Sequence, residues 1–157
     1  LQNALCRPFG EQLVKKVEIY TDGACSGNPG KGGWAAILIY KDTEKIISGG
    51  HDNTTNNRME LLAILSGLTQ LKEQCNVTVY SDSAYALNPF IKGWIYEWRL
   101  KDWKHKGNDR KNADIWKPLY DIVQKHKVTF VKVKAHSDNE YNNKCDKLAK
   151  DEIKKLH

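Results

Sequence analysis

Three segments with strand character follow one another with no helix between them, and this constrains the fold more than anything else in the chain. "KKVEIYTDG" (15–23), "GGWAAILIYKD" (32–42) and "KIISGGHD" (45–52) are rich in β-branched and aromatic residues and are separated only by short polar or glycine-rich links. Connections that short suit antiparallel neighbours, so the spacing predicts a meander. The pattern then changes. Leu61, Ile64, Leu65, Leu68 and Leu71 recur at helical spacing and predict a helix over about 57–73. A compact apolar strand at 76–82 follows, then short helices through 84–103, a helix near 113–126, a strand at 128–136 and a last helix near 142–155. Strands alternating with helices imply parallel pairing. The expectation is an α/β fold in which one mixed sheet, meander first and parallel strands after, is flanked by helices. Residues 15–157 form a single domain in this reading, and residues 1–14 are an unassigned N-terminal extension without clear periodicity.

Four acids stand at unusual places, each with an ordinary explanation. Glu60 lies on the edge of an apolar stripe, and Asn57-x-x-Glu60 has the form of a capping box. Asp22 precedes Gly23 as in a turn. Asp82 stands where a helix N-cap is expected, and Asp146 is four residues before Lys150, as in a solvated ion pair. Taken together the explanations strain. Asp22 and Asp82 both close apolar strands, and neighbouring strand ends in an α/β sheet lie side by side where such folds bind ligands. Glu60 and Asp146 sit on helices able to face the same edge. Clustered carboxylates repel one another and need protons or cations to offset their charge. Hard divalent ions such as Mg²⁺ match an all-oxygen donor set.

Composition adds limits. Lys and Arg number 25 against 19 Asp and Glu, a net +6 that is compatible with an anionic partner without identifying one. The four cysteines, Cys6, Cys25, Cys75 and Cys145, have no zinc-like spacing and read as reduced thiols. No apolar run approaches bilayer length, and a signal-peptide core is absent from the N-terminus. A cytoplasmic protein without membrane attachment is expected.

Five blocks in order, "YTDGACSGNPGKGGW", "TTNNRMEL", "YSDSAY", "VKAH" and "NNKCDKLA", give the chain a close similarity over residues 15–153 to one family. It resembles the bacterial type 1 ribonuclease H family. The resemblance implies a ribonuclease H-like fold with a five-stranded mixed sheet. It also implies hydrolysis of the RNA strand of an RNA–DNA hybrid with two Mg²⁺ ions, Mn²⁺ being an alternative ion, to leave 5′-phosphate and 3′-hydroxyl ends. By the same resemblance Asp22, Glu60, Asp82 and Asp146 are metal ligands. Asp22 would bridge both ions, Asp146 would share the nucleophile-side ion, and Glu60 and Asp82 would complete the leaving-group side. His136 would assist as a loop histidine, a role its near-neutral intrinsic pKa suits.

The substrate contacts follow from the same likeness. "GNPGKGG" is not a nucleotide P-loop, because Gly32 follows Lys31 where Ser or Thr is required. It reads as a hairpin, with Asn28, Asn56 and Asn57 set against the nucleic-acid backbone. Residues 92–111, "KGWIYEWRLKDWKHKGNDRK", hold seven Lys or Arg against three acids, four of the six net positive charges. They resemble the family's basic protrusion, which grips the DNA strand, with Trp94 and Thr55 lining a phosphate channel and Trp98, Trp103, Lys104 and Lys106 in the same segment. From spacing alone, Trp94 and Trp98 read more readily as packing residues than as ligands, in a solvated basic helix with a small aromatic core. Two departures stand out. Ala84 occupies the place where the family often has Gln, and Ala135 precedes His136 where Gly is common. A monomer is expected. The competing readings are a non-catalytic hybrid-binding module, a ribonuclease H domain from a reverse transcriptase, and an integrase or resolvase relative. The four acids together disfavour the first, and the "TTNNRME" block with the Trp-rich basic segment disfavours the last.

Overall fold

The computed structural model describes residues 14–135 and 138–156. His136, read above as the assisting histidine, lies outside them, as do Cys6 and nearly all of the N-terminal extension. The elements run β1 (Lys15–Gly27), β2 (Gly30–Tyr40), β3 (Thr43–Thr54), α1 (Asn56–Thr69), β4 (Cys75–Ser81), α2 (Ala84–Ile91), α3 (Trp94–Leu100), β5 (Lys104–His105), β6 (Asn108–Asp109), α4 (Ala113–Gln124), β7 (Lys127–Lys132) and α5 (Glu140–Lys154). Five strands form one sheet in the order β3-β2-β1-β4-β7. β1, β2 and β3 pair antiparallel, whereas β4 runs parallel to β1 and to β7. The expected meander followed by parallel strands is therefore what the chain forms. The two-residue strands β5 and β6 pair as a hairpin inside the basic segment, an element too short for its periodicity to register.

The sheet's two faces are covered unequally. Ile19, Val77 and Val79 pack under α1, α2 and α4 with Leu61, Ile64, Leu68, Leu87, Trp116 and Leu119 in the larger core. On the opposite face α5 packs Cys145 and Ala149 over Tyr20, Ala35 and Ile37. Among the described residues, no helix is long and apolar enough to cross a membrane.

Two glycines set how closely helices approach. A Cβ on Gly23 would lie 2.5 Å from the Glu60 backbone nitrogen, so the first turns of α1 rest on β1 through that position. A Cβ on Gly33 would lie 2.1 Å from the Ala149 carbonyl oxygen, so α5 rests on β2 in the same way. Only a residue without a side chain permits either contact.

Several boundaries correct the sequence reading. β1 continues four residues past Gly23, so Asp22-Gly23 is not a turn; Asp22 is paired with Ala35 inside the strand. The cap of α1 is Thr55, whose Oγ1 accepts the Arg58 N–H at 3.3 Å, and Asn57 is already helical, so the Asn57–Glu60 capping box does not form. The cap of α2 is Ser83, whose Oγ accepts the Ala86 N–H at 3.1 Å, and Asp82 is left free of that role.

Candidate active site

β1 and β4 stay paired only as far as Tyr20 and Tyr80, and beyond that point β1 continues along β2 while β4 gives way to α2. Asp22 and Asp82 are each two residues past the last pair, where the sheet splits. The α/β rule that ligands bind at such a divergence places the site here. Gly23 brings α1 against the same spot, and carboxylate oxygens of Asp22, Glu60 and Asp82 all lie within 4.8 Å of one another. Asp146 arrives from α5 and lines the same cleft as Asp22 and Asp82. The ion pair read from sequence is also present, with Lys150 Nζ 3.0 Å from Asp146 Oδ2.

Burial makes this gathering costly. Asp22 is 7% exposed and Glu60 5%. Removal from water, with Asp82 next in importance, pushes the Asp22 carboxyl up to about 7, even though the Gly23 N–H donates to its Oδ1 at 2.9 Å. Burial and the neighbouring Asp22 and Asp82 hold the Glu60 carboxyl well above the usual carboxylate range. Glu60 Oε1 is buried without a hydrogen-bond partner. A fold concerned only with stability would not keep such a group, because an unpaired buried acceptor costs roughly 1–3 kcal/mol. An all-carboxylate donor set with an orphaned oxygen fits a hard divalent cation, and offers nothing to a soft one.

Asp22, Asp82 and Asp146 line a cleft of about 40 Å³ together with Lys134, Ala135, Asn142 and Asn143. Beneath it the thiol of Cys145 donates to the Tyr20 carbonyl at 3.3 Å and is pushed up to about 12 by burial, which makes it an inert packing group.

The remaining sequence-named residues fall into two groups. Thr55 caps α1, and Asn28 Oδ1 accepts the Asn56 N–H at 3.3 Å, which joins the β1–β2 hairpin to the start of α1 beside the acids. Asn57 follows in the first turn of α1, half-buried. Trp94 is 43% exposed, with the Lys92 ammonium 5.6 Å from its ring centre. Trp98 and Trp103 behave differently. Trp98 meets Trp116 edge-on at 5.3 Å and carries the Arg110 guanidinium at 4.1 Å, while Trp103 is 7% exposed against Tyr120. They build the interior of the basic segment, so of its tryptophans only Trp94 is left on the outer surface, beside the lysines, Tyr96 and Leu100. Lys104 is paired with Asp109 across the hairpin, and Lys106 is exposed in its turn.

One network escaped the sequence reading. Arg58 forks onto Asp114 at 3.0 and 2.6 Å and also donates to Asn112 Oδ1 at 3.0 Å, while Asn112 Nδ2 donates to the Tyr85 hydroxyl at 2.9 Å. The Arg58 guanidinium holds the Asp114 carboxyl below its ordinary range. These residues tie the start of α1 to the start of α4, over a separation that no local pattern reveals.

A split mixed sheet with carboxylates gathered where it divides defines an α/β protein with an acidic cluster at the end of its sheet. Residues 14–154 match the family model described as RNase H, and the chain belongs to the ribonuclease H family, a family of nucleases, on its bacterial type 1 side. It is 57% identical over 143 residues to Ribonuclease H of Acetivibrio thermocellus, covering 90% of this chain and 97% of that one. Among solved structures it superposes with a TM-score of 0.80 on LC9-RNase H1, a type 1 RNase H with the type 2 active-site motif. That match has 23% identity and covers 90% of this chain and 73% of the other. LC11-RNase H1 in complex with an RNA/DNA hybrid has the same fold, with a TM-score of 0.69 at 22% identity over 88% of this chain and 97% of the other.

Proposed function

We propose that the chain is an endoribonuclease that hydrolyses the RNA strand of RNA–DNA hybrids, using two Mg²⁺ ions and leaving 5′-phosphate and 3′-hydroxyl ends. The observation that carries this reading is the meeting of Asp22, Glu60 and Asp82 within 4.8 Å, with Asp146 lining the same cleft. Four carboxylates placed where the sheet splits give metal-assisted phosphodiester hydrolysis its donor set. The hybrid bound by LC11-RNase H1 supports the choice of substrate.

Asp22, at the centre of the cluster, would bridge the two ions. Asp146 would share one of them, and Glu60 and Asp82 the other. Bound there, the ions supply a water acidic enough to attack phosphorus and neutralise the charge that grows on the departing oxygen. Asp22 and Glu60 hold protons readily in the metal-free protein. Both must give them up for the site to be loaded, so activity should rise with pH through neutrality. His136 would assist by taking up or returning a proton. Asn28, Thr55, Asn56 and Asn57 would hold the nucleic-acid backbone beside α1. Trp94, Lys104 and Lys106 would face the DNA strand, with Trp98 and Trp103 supporting them from behind. Contacts of this kind are directed at phosphate and sugar and are insensitive to base sequence.

The test is cleavage of a strand-labelled hybrid with and without Mg²⁺, beside RNA–RNA and DNA–DNA duplexes. Cutting confined to the hybrid's RNA strand, dependent on the ion and absent from Asp22→Asn, is the expected result. Tight hybrid binding without cutting under any divalent ion would end the reading in favour of a binding module.

A further inference from the structure

The cleft beside the carboxylates contains a lysine to which nothing above gives a task. Lys134 lines it together with Asp22, Asp82 and Asp146. Its backbone is well held: Val133 donates to the Ser81 carbonyl at 2.9 Å, which carries the β4–β7 pairing one residue past Ser81 and Lys132. A lysine sharing a cleft with three acids would ordinarily collapse onto one of them. Asp146 is paired with Lys150 instead, and among the described residues Lys134 makes no ion pair within 4.0 Å. Its side chain is exposed.

The need for a cation at this place follows from charge. Before the cleft holds cations, an RNA strand laid across it brings phosphates toward its carboxylates, and each ionised one repels them. The lysines of 92–111 sit on a separate excursion of the chain between α2 and α4, directed in the proposed reading at the other strand. An ammonium two residues past the end of β7, on the rim of the acidic cleft, would offset that repulsion for an RNA strand lying there.

We propose that Lys134 binds a phosphate of the RNA strand next to the bond that is cut, as a substrate-binding residue. This inference rests on the reading of the substrate as an RNA–DNA hybrid, and its test does not need cleavage. Hybrid affinity is measured in EDTA between 50 and 200 mM KCl for wild type, Lys134→Ala and Lys134→Arg. Loss of one phosphate contact lowers the slope of log affinity against log salt by about 0.9, so the deficit of Lys134→Ala shrinks about 3.5-fold across that range. Lys134→Arg keeps the wild-type slope. A neutral methylphosphonate placed in the RNA strand at the scissile-flanking phosphate weakens wild type but not Lys134→Ala. With Mg²⁺ present, Lys134→Ala raises KM several-fold and leaves kcat within about twofold.

Equal slopes for wild type and Lys134→Ala would overturn the assignment. So would a deficit reproduced by neutral linkages in the DNA strand, or unchanged hybrid affinity with tighter Mg²⁺ binding, which would make Lys134 a counter-ion of the acids. A wild type that binds hybrid and never cuts it would remove the hydrolytic reading, while the salt slopes would still decide the contact.

Discussion

The strands β1 and β4 carry titratable groups at both of their ends, and the two ends treat those groups in opposite ways. At the start, Lys15 meets Glu73 at 2.9 Å, and the Cys75 N–H donates to Nδ1 of His126 at 3.0 Å. Both contacts join groups of complementary character. At the far end, past Tyr20 and Tyr80, like charges are pressed together, Asp22 is lifted to about 7, and Glu60 keeps an unpaired oxygen. The sheet and the apolar core between the two ends are the same. The contacts at the start serve the folded chain alone, whereas the far end keeps a cost that a bound cation would offset, as the proposed function requires.

The sharpest way to break this contrast is to remove the central charge. Asp22→Asn should lower turnover of the hybrid at least about a thousandfold, since a bridging ligand would be lost. The same change should raise the melting temperature of the metal-free protein at pH 8 by at least about 5 °C, because a buried charge is replaced by a neutral amide. Calorimetry in EDTA beside a cleavage assay reads both. A variant that lost activity and stability together would mean that the acids hold the fold together, and the contrast would disappear.

A steric change should act on the same end from a distance. Gly33→Ala drives a Cβ into the Ala149 carbonyl, which is backbone and cannot step aside cheaply. α5 must shift, and Asp146 moves with it. The expected cost is about 3 kcal/mol of stability and about a hundredfold in turnover, with hybrid affinity in EDTA nearly unchanged. Ser48→Ala, which removes the hydrogen bond from Ser48 Oγ to Glu152 on the same helix, should give a smaller loss of both.

How much of this was legible in the sequence follows the range of the forces involved. The meander, the first long helix and the parallel strands showed in local periodicity, and the four acids were identifiable by name through the family's blocks. The cause of their meeting was not legible. Asp22-Gly23 has the form of a turn because a turn and a close approach of backbone both require glycine, and only the packing of Glu60 on Gly23 separates them. The caps were misplaced by one or two residues, as Thr55 and Ser83 compete with equally good cap residues beside them. Trp98 and Trp103 share their spacing with surface aromatics, and their inward packing depends on Trp116 and Tyr120 of α4. The Arg58–Asp114 fork spans 56 positions and leaves no trace in any window.

The two ends should also respond to pH with opposite sign. In the metal-free protein Asp22 and Glu60 have folded-state pKa values above their unfolded ones, so the folded chain holds more protons. Stability from this end is present at low pH and is lost as pH rises from about 4 through about 7. Chemical denaturation in EDTA should show that decline, and saturating Mg²⁺ should flatten it. A flat profile without metal would mean that the acids are wetter than their burial implies.

His126 supplies the smallest and most discriminating effect. Burial, and then Lys125, lower its pKa below the ordinary value, and its Nδ1 can accept the Cys75 N–H only while unprotonated. The unfolded chain therefore binds the proton more readily, so this contribution is complete above about pH 6.5 and is lost as pH falls through the lower folded-state value. The slope is opposite to that of the acids. His126→Ala should cost about 1 kcal/mol at pH 8, roughly 2–4 °C, and leave turnover unchanged. Its deficit against wild type should close as pH falls below 6, while the acid-end slope stays as it was. If instead the deficit were constant with pH, the ring would be acting by packing alone, and the opposition between the two ends would reduce to the carboxylates.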